Sequence, residues 1–236
     1  PSNACGARAP NHAASSGRLI LRKPVQGVRR YIGPDNTTGA QAMQHATLRI
    51  IHNEHMAVAA VLRSLRMMLQ TGPGDEADRF FDVLRAMLFY IDEFPERLHH
   101  PKETQLLFPK LRERVPTLGE VLQKLDSDHA HSEHAVRELQ HMVMAWELLG
   151  DSRRAPFEQA AQRYIDSYME HMQLEETELL PMAERHFDAE DWKTLDAAFS
   201  SHYDPLASTG PREPTYERLF TRIVLRAPAP IGVGSP

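Results

Sequence analysis

From about residue 41 onward, apolar residues recur at steps of three and four, which is the spacing of one face of an α-helix. The first of these stripes comprises Leu48, Ile51, Val58, Leu62 and Leu65. Three more stripes follow, separated by segments at 71–78, 114–120 and 150–156 that contain glycine and proline. Because no period-two alternation appears, the pattern predicts an all-α fold. Short connections make neighbouring helices antiparallel, so we expect an up-down-up-down four-helix bundle with additional short C-terminal helices.

Composition divides the chain into three parts. Residues 1–40 are rich in proline, glycine, alanine, serine and arginine, and are predicted to form an irregular basic N-terminal arm. Residues 41–187 form the predicted bundle. Residues 188–236 are predicted to be a C-terminal helical extension and tail, with one short helix capped by Asp188 and a second at 213–225.

Charge and cysteine content limit the class of partner and the compartment. The formal net charge is −5, so no basic excess favours nucleic acid. The chain has no apolar run of about 18 residues, hence no membrane span is expected, and its N-terminus lacks the charged start and apolar core of a secretory signal. The single cysteine, Cys5, cannot form an internal disulfide. We therefore expect a cytoplasmic protein.

Histidine is unusually frequent, with thirteen in the chain, and two histidine motifs repeat. The segment RLHHPKETQLLFPK at 97–110 matches HMQLEETELLP at 171–181. The matched pairs are His99 and His171, Glu103 and Glu175, Leu107 and Leu179, and Pro109 and Pro181. In the same way, the apolar stripes of the first and third helices align on His55 and His129. The chain thus contains a two-helix unit used twice, which predicts a bundle with approximate two-fold symmetry.

Each unit places a histidine and a glutamate four residues apart on one helix. Such residues share a face, since four residues rotate only about 40° past a full turn. In both helices that face is the apolar one, so both pairs are expected to point into the core. Buried carboxylates and imidazoles are costly unless a cation neutralises and coordinates them. Mixed nitrogen and oxygen ligands on facing helices suit iron or manganese and, less strictly, zinc.

These motifs resemble those of a known family. His55, HHPKE at 99–103 followed by LLFP, His129 and HMQLEE at 171–176 are similar to the hemerythrin-like HHE cation-binding domains over about residues 45–185. The segments DWKTLDAAF, YDPL and LFTRIVLRAPAPIG resemble the C-terminal extension of one bacterial branch of that family. The resemblance implies a four-helix bundle that holds a non-haem centre of two iron ions, with zinc or manganese as substitutes. The ligands that it implies are His55, His99, Glu103, His129, His171 and Glu175.

Four further residues are candidates for the centre or its surroundings. Oxygen carriers of the family have a second histidine four residues after the one on the third helix, and Glu133 stands there in this chain. They have an aspartate five residues after the last histidine, where Glu176 stands. Pro101 is expected to kink the second helix and could turn His100 inward as a fifth nitrogen ligand. His52 is expected near the site, where a hydrogen bond from it could orient a ligand.

Three functions remain open at this point. The resemblance implies a module that binds or senses O₂, NO, redox state or iron. The second function is that of a di-iron oxidase or peroxidase-type enzyme, although a nitrogen-rich donor set favours binding over oxidation chemistry. The third is a zinc-bound or metal-free scaffold. The expected partners are O₂ or NO as small ligands, without nucleic acid or membrane, and a homodimer is left open.

Overall fold

The computed structural model describes residues 45–208 and 214–234, and the predicted N-terminal arm lies outside these ranges. Within them, every element of secondary structure is helical, so the all-α prediction is confirmed. None of the helices in the described ranges has the length and apolar character needed to cross a membrane.

Four long helices form a bundle within the described residues. The first, α1, spans Ala46–Thr71, and the third, α3, spans Gly119–Leu149. The second, α2, is continuous through Ala77–Ile91, Asp92–His99, His100–Lys102, Glu103–Leu107 and Phe108–Arg114. The fourth, α4, is continuous through Arg154–Leu174, Glu175–Leu179 and Leu180–His186.

The long helices pack side by side in a closed ring. Both α1 and α3 pack on α2 and on α4. The connections between consecutive helices are only a few residues long, which makes neighbours antiparallel. Two of these connections begin at Gly72 and Gly150, whose positive φ angles of 75° and 84° end α1 and α3. The predicted up-down-up-down bundle is thereby confirmed.

The apolar core consists of two clusters, with the motif residues between them. On α1, His55 lies between Ile51 of one cluster and Val58 of the other. His129 has the same position on α3. Burial of the two clusters supplies the main force that holds the helices together. Since apolar packing lies on both sides of them, the motif histidines are enclosed in the middle of the bundle.

Among the described residues, three stretches of α2 and α4 are π-helical, with hydrogen bonds to the carbonyl group five residues back. Two of these stretches begin at the motif glutamates. In α2, the Phe108 N–H donates to the Glu103 carbonyl, and in α4 the Leu180 N–H donates to the Glu175 carbonyl. The next residue in each helix is a proline, which has no N–H to continue the α-helical pattern. The matched prolines therefore coincide with matched π turns, and both helices continue through them.

Two shorter helices follow the bundle in the described ranges. These are α5, which spans Ala189–Phe199, and α6, which spans Glu217–Arg226. Asp188 accepts hydrogen bonds from two backbone N–H groups in the first turn of α5, so the predicted cap is confirmed. A 3₁₀ turn at Pro214–Tyr216 precedes α6, which begins later than the predicted residue 213. Of the two, α5 packs on α1 and α6 packs on α2.

Candidate metal centre

The six residues of the implied ligand set meet between the two apolar clusters. Helix α1 contributes His55, α2 contributes His99 and Glu103, α3 contributes His129, and α4 contributes His171 and Glu175. All six are buried, with no more than 7% of each residue exposed, and both glutamates are fully buried. The packing of all four long helices thus gathers side chains that are far apart in the sequence.

The donor atoms form two compact groups, each suited to one metal ion. The first group comprises His55, His99 and Glu103, whose donor atoms lie within 4.8 Å of one another. The second comprises His100, Glu103, His129 and His171, within the same distance. The fold therefore brings His100, an additional candidate from the sequence, to the same centre as the six residues above.

Glu103 belongs to both groups. Its Oε1 atom is 3.2 Å from His99 Nε2 in the first group, and its Oε2 atom is 3.5 Å from His129 Nε2 in the second. The Nε2 atoms of His129 and His171 are 3.1 Å apart, so both rings point towards one place. A single carboxylate thus presents one oxygen to each group.

Glu175 repeats this arrangement from the opposite helix. Its Oε2 atom is 3.3 Å from His55 Nε2, and its Oε1 atom is 3.4 Å from His171 Nε2. Glu103 and Glu175 are therefore both placed to bridge two cations, as carboxylates do in the cores of di-metal bundles. The internal repeat of the sequence produces this symmetry, because each glutamate follows its histidine by four residues.

All four carboxylate oxygens of Glu103 and Glu175 are buried, and none accepts a hydrogen bond from the described residues. His99 Nε2 is also buried without a hydrogen bond from this part of the chain. Buried carboxylates without hydrogen bonds cost several kcal/mol in an apolar interior. A divalent cation removes that cost by coordinating the oxygens directly. The residues present therefore fit a two-cation centre.

Without a cation, the glutamates raise the pKa values of three imidazoles. Burial alone would lower the pKa of His171, but the charge of Glu175 and the close approach of Asp128 and Glu175, at 3.6 and 3.4 Å, outweigh it and raise this pKa to about 10. Burial is likewise outweighed by neighbouring glutamates at His55 and His99, whose pKa values are also raised. Protonated imidazoles then balance the buried carboxylates.

The pKa values of the other two imidazoles of the centre, His100 and His129, are lowered. Burial, and then the charges of neighbouring histidines, lower the pKa values of His100 and His129. Burial and the charge of Glu175 raise the pKa of Glu103. His100 and His129 are therefore neutral at physiological pH, which is the protonation state that a cation requires of an imidazole ligand.

We expect metal uptake to release protons and to weaken as the pH falls. Protonated His55, His99 and His171 must lose their protons before they coordinate a cation, so metal uptake near neutral pH should release protons. Because the metal-bound state holds fewer protons than the free state, a lower pH favours the free state. Calorimetric titration with Zn²⁺ in two buffers of different ionisation enthalpy measures the number of protons. Uptake without proton release, or retention of metal at about pH 4, would contradict ligation by these histidines.

Hydrogen bonds at Nδ1 orient the rings of the first group. His99 Nδ1 donates to Glu54 Oε2 at 2.6 Å, and His55 Nδ1 donates to Glu176 Oε1 at 2.9 Å. Glu176 also lies 3.3 Å from His52 Nδ1. These contacts leave the Nε2 atoms of His55 and His99 facing the centre. Glu176 and His52 are thus placed beside the ligand shell and outside the two groups of donor atoms.

His100 is held by a separate polar network. Its Nδ1 atom donates to Glu96 Oε2 at 2.9 Å, and the Tyr168 hydroxyl lies 3.0 Å from its Nε2 atom. Glu96 also accepts hydrogen bonds from the hydroxyls of Tyr164 and Ser132. Burial raises the pKa of Glu96 to about 7 against the opposing effect of these hydroxyls. The network fixes the ring of His100 on the side of the centre between α3 and α4.

Glu133 is the one sequence candidate that the fold does not bring to the centre. Its carboxylate accepts a hydrogen bond from Arg137 at 2.8 Å, and 47% of its side chain is exposed. On α3 the inward face continues after His129 at Ser132, which is hydrogen-bonded to Glu96, and Glu133 lies next to it on the solvent side. Its position on α3 therefore offers no donor to either group.

Sequence reasoning missed several residues that contact the rings of the centre. Glu96 precedes His100 by four residues, so the spacing that revealed the other pairs could have identified it. Thr104, whose hydroxyl lies 2.9 Å from His129 Nδ1, and Glu54 have no comparable signal. Their contacts join different helices, and only the packing of those helices reveals them.

A cavity of about 440 Å³ opens between α3 and α4 and reaches the second group of donors. His100, His129 and His171 contribute to its lining. On the other side of α4, a groove next to α1 reaches His55, where Glu176 is bonded to the Nδ1 edge of the ring. Openings therefore reach the centre on both sides of α4: the cavity reaches three imidazoles of the second group, and the groove, of about 580 Å³, reaches His55 of the first.

Comparison with known proteins gives one family. The family model described as "Hemerythrin HHE cation binding domain" matches residues 46–183, which is more than half of the chain. No match was found among curated proteins. The matched range contains both groups of donor atoms and ends before α5.

Proposed function

Because the chain belongs to the hemerythrin HHE cation binding domain family, we propose that it is a non-haem di-iron protein that binds or senses a small molecule such as O₂ or NO. Cation binding is the property common to the family description and to the buried histidine and glutamate cluster. Iron as the cation, and O₂ or NO as its small ligand, are the proposed details beyond cation binding. Redox state and iron supply are the other signals that such a centre could sense.

One observation carries the proposal: two buried glutamates each present one oxygen to each of two groups of imidazoles. The described donors are five histidines and two glutamates, so nitrogen predominates. Imidazole and carboxylate together suit iron, with manganese and zinc as substitutes. Nitrogen-rich coordination distinguishes this centre from the carboxylate-rich centres of ferritin-like proteins. This difference supports binding or sensing in preference to oxidation chemistry.

The chain's own residues would hold, orient and shield the metal. When bound, iron supplies an affinity for O₂ or NO that protein side chains lack. Glu54, Glu176 and Glu96 orient three of the imidazole ligands through Nδ1. Apolar packing on both sides of the centre limits the access of water. The cavity between α3 and α4 provides a route for a small molecule, ending at His100 and the Tyr168 hydroxyl.

The size of that cavity favours a second candidate function, an oxidase or peroxidase-type enzyme. A diatomic molecule needs far less than about 440 Å³, whereas pockets for small organic ligands start at roughly 300 Å³. The rings of Tyr164 and Tyr168 and the side chain of Leu139 supply an apolar wall for an organic substrate. A zinc-bound or metal-free scaffold is the remaining alternative.

Absorption spectroscopy tests the proposal. Protein loaded with Fe²⁺ under anaerobic conditions and then exposed to air is expected to develop a near-ultraviolet charge-transfer band. Metal analysis of the same sample should give two iron ions per chain. A protein that takes up no iron, or that remains colourless with iron before and after exposure, would contradict the proposal. Catalytic consumption of peroxide or of an organic reductant would favour the enzyme instead.

A further inference from the structure

The chain that follows α5 returns to the candidate metal centre, although it lies beyond the matched range 46–183. Phe199, the last residue of α5, is fully buried and meets the ring of His99 edge-on, with ring centroids 6.2 Å apart. Three residues later, His202 Nε2 donates to Glu54 Oε1 at 2.7 Å. A segment outside the family domain thus contacts the residue that orients a candidate ligand.

Glu54 joins this segment to the centre. Its Oε2 atom accepts from His99 Nδ1 at 2.6 Å, while its Oε1 atom accepts from His202. Only 5% of Glu54 is exposed, so water can scarcely replace either partner. Burial would raise the pKa of Glu54, but the hydrogen bonds from His202 and His99 lower it to about 2. Lys102 Nζ donates to the Nδ1 atom of His202, which leaves the proton of that ring on Nε2.

Asp204 anchors the segment to the bundle. It is 2% exposed and accepts a hydrogen bond from the Tyr90 hydroxyl of α2 at 2.9 Å. Its Oδ1 atom also accepts from the backbone N–H groups of Leu206 and Ala207, at 2.7 and 3.1 Å. The space left between Asp204, Glu54 and the first group is about 10 Å³, which holds no more than about one water molecule. Residues 200–208 therefore close this side of the centre.

We propose that His202 is a positioning residue for the metal centre and that residues 200–208 complete it from outside the family domain. This inference rests on the proposed function, since it concerns the ligand His99. With His202 in place, Glu54 is held in one orientation, and His99 Nδ1 is held as a donor. His99 Nε2 then faces Glu103 Oε1 at 3.2 Å, where a cation would join them. Loss of a hydrogen-bonding partner of this kind typically lowers metal affinity roughly 10- to 100-fold.

The same contacts also link metal binding to the docking of residues 200–208 on the bundle. If the docked segment strengthens metal binding, bound metal must strengthen the docking of the segment by the same factor. The amide protons of Leu206 and Ala207 report on docking, because both are bonded to Asp204. Their hydrogen exchange is expected to slow roughly tenfold when metal is added to the full chain.

Matched variants of the full chain test the role of His202. His202→Ala removes the donor to Glu54, whereas His202→Gln keeps an N–H donor, and His141→Ala changes an exposed histidine of α3 as a control. Competition with a chelator for Fe²⁺ measures affinity. We expect His202→Ala to bind roughly tenfold more weakly or worse, and His202→Gln and His141→Ala to stay close to the wild type. Circular dichroism verifies that each variant keeps its helices.

The outcomes separate this inference from the proposed function. If the wild type binds no iron, the di-iron proposal fails. If it binds two ions and His202→Ala does so with unchanged affinity, only the inference about His202 is overturned. Equal weakening by alanine and glutamine also overturns it, since the hydrogen bond would then not be the cause. Should His202→Ala fail to fold, hydrogen exchange of the wild type decides: unchanged exchange at Leu206 and Ala207 on metal addition overturns the inference.

Discussion

Replacement of Glu175 by glutamine is expected to remove both metal ions from the protein. The substitution keeps the shape of the side chain but removes its charge and one of its two acceptor oxygens. Because those oxygens face His55 at 3.3 Å and His171 at 3.4 Å, the change affects both groups of donors. Loss of an orienting partner alone costs roughly 10- to 100-fold in affinity, so loss of a ligand shared by both ions should exceed about 100-fold.

Metal analysis after loading with excess Fe²⁺ and removal of free metal measures this effect as ions per chain. Glu178→Gln is the matched control, because Glu178 is exposed and belongs to the same π-helical stretch, Glu175–Leu179. The control should retain both ions. Retention of one ion by Glu175→Gln would show that Glu175 serves a single group, which would contradict the bridging role.

Removal of metal should lower the thermal stability of the protein substantially. The fully buried oxygens of Glu103 and Glu175 accept no hydrogen bond from the described residues, so a cation is the partner that stabilises them in the fold. A ligand present at about a thousand times its dissociation constant stabilises the native state by about 4 kcal/mol. For a chain of this size each kcal/mol shifts the midpoint by roughly 2–4 °C, so we expect a decrease of roughly 8–16 °C.

Circular dichroism at increasing temperature, on chelator-treated and on reloaded protein, measures this shift. Glu175→Gln supplies the control, because addition of metal to that variant should leave its midpoint unchanged. Equal midpoints for the chelated and reloaded wild type would show that the buried carboxylates are satisfied without a cation. That result would remove the physical argument for the metal centre.

Local spacing explains why part of the centre could be predicted from the sequence. His99 and Glu103 are four residues apart on one helix, and so are His171 and Glu175, so each pair shares a face whatever the rest of the chain does. The π turns that begin at the two glutamates occur just before matched prolines, which are also visible in the sequence. Geometry that depends on a few consecutive residues is therefore the part of the centre that the sequence can indicate.

The structure places the additional candidates differently from one another. Glu133 has the spacing of a ligand but faces solvent beside Arg137. Glu176 is hydrogen-bonded to His55 at the edge of the centre instead of contributing to its donor groups, and His52 lies beside Glu176, near the site as the sequence suggested. Which of several nearby polar residues enters the core depends on small rotations of each helix, and these rotations are set by packing against the other three.

The sequence by itself determined the four-helix architecture, the two histidine and glutamate pairs, and the expectation of a buried cation, because apolar periodicity and four-residue spacing act within single helices. Only the tertiary structure decided that both glutamates lie between two donor groups, that His100 joins the second group, and that His202 contacts Glu54. His202 and Glu54 are separated by most of the chain, and no local pattern records such a pair. Their contact exists because α5 packs on α1 and brings the following segment back to the centre.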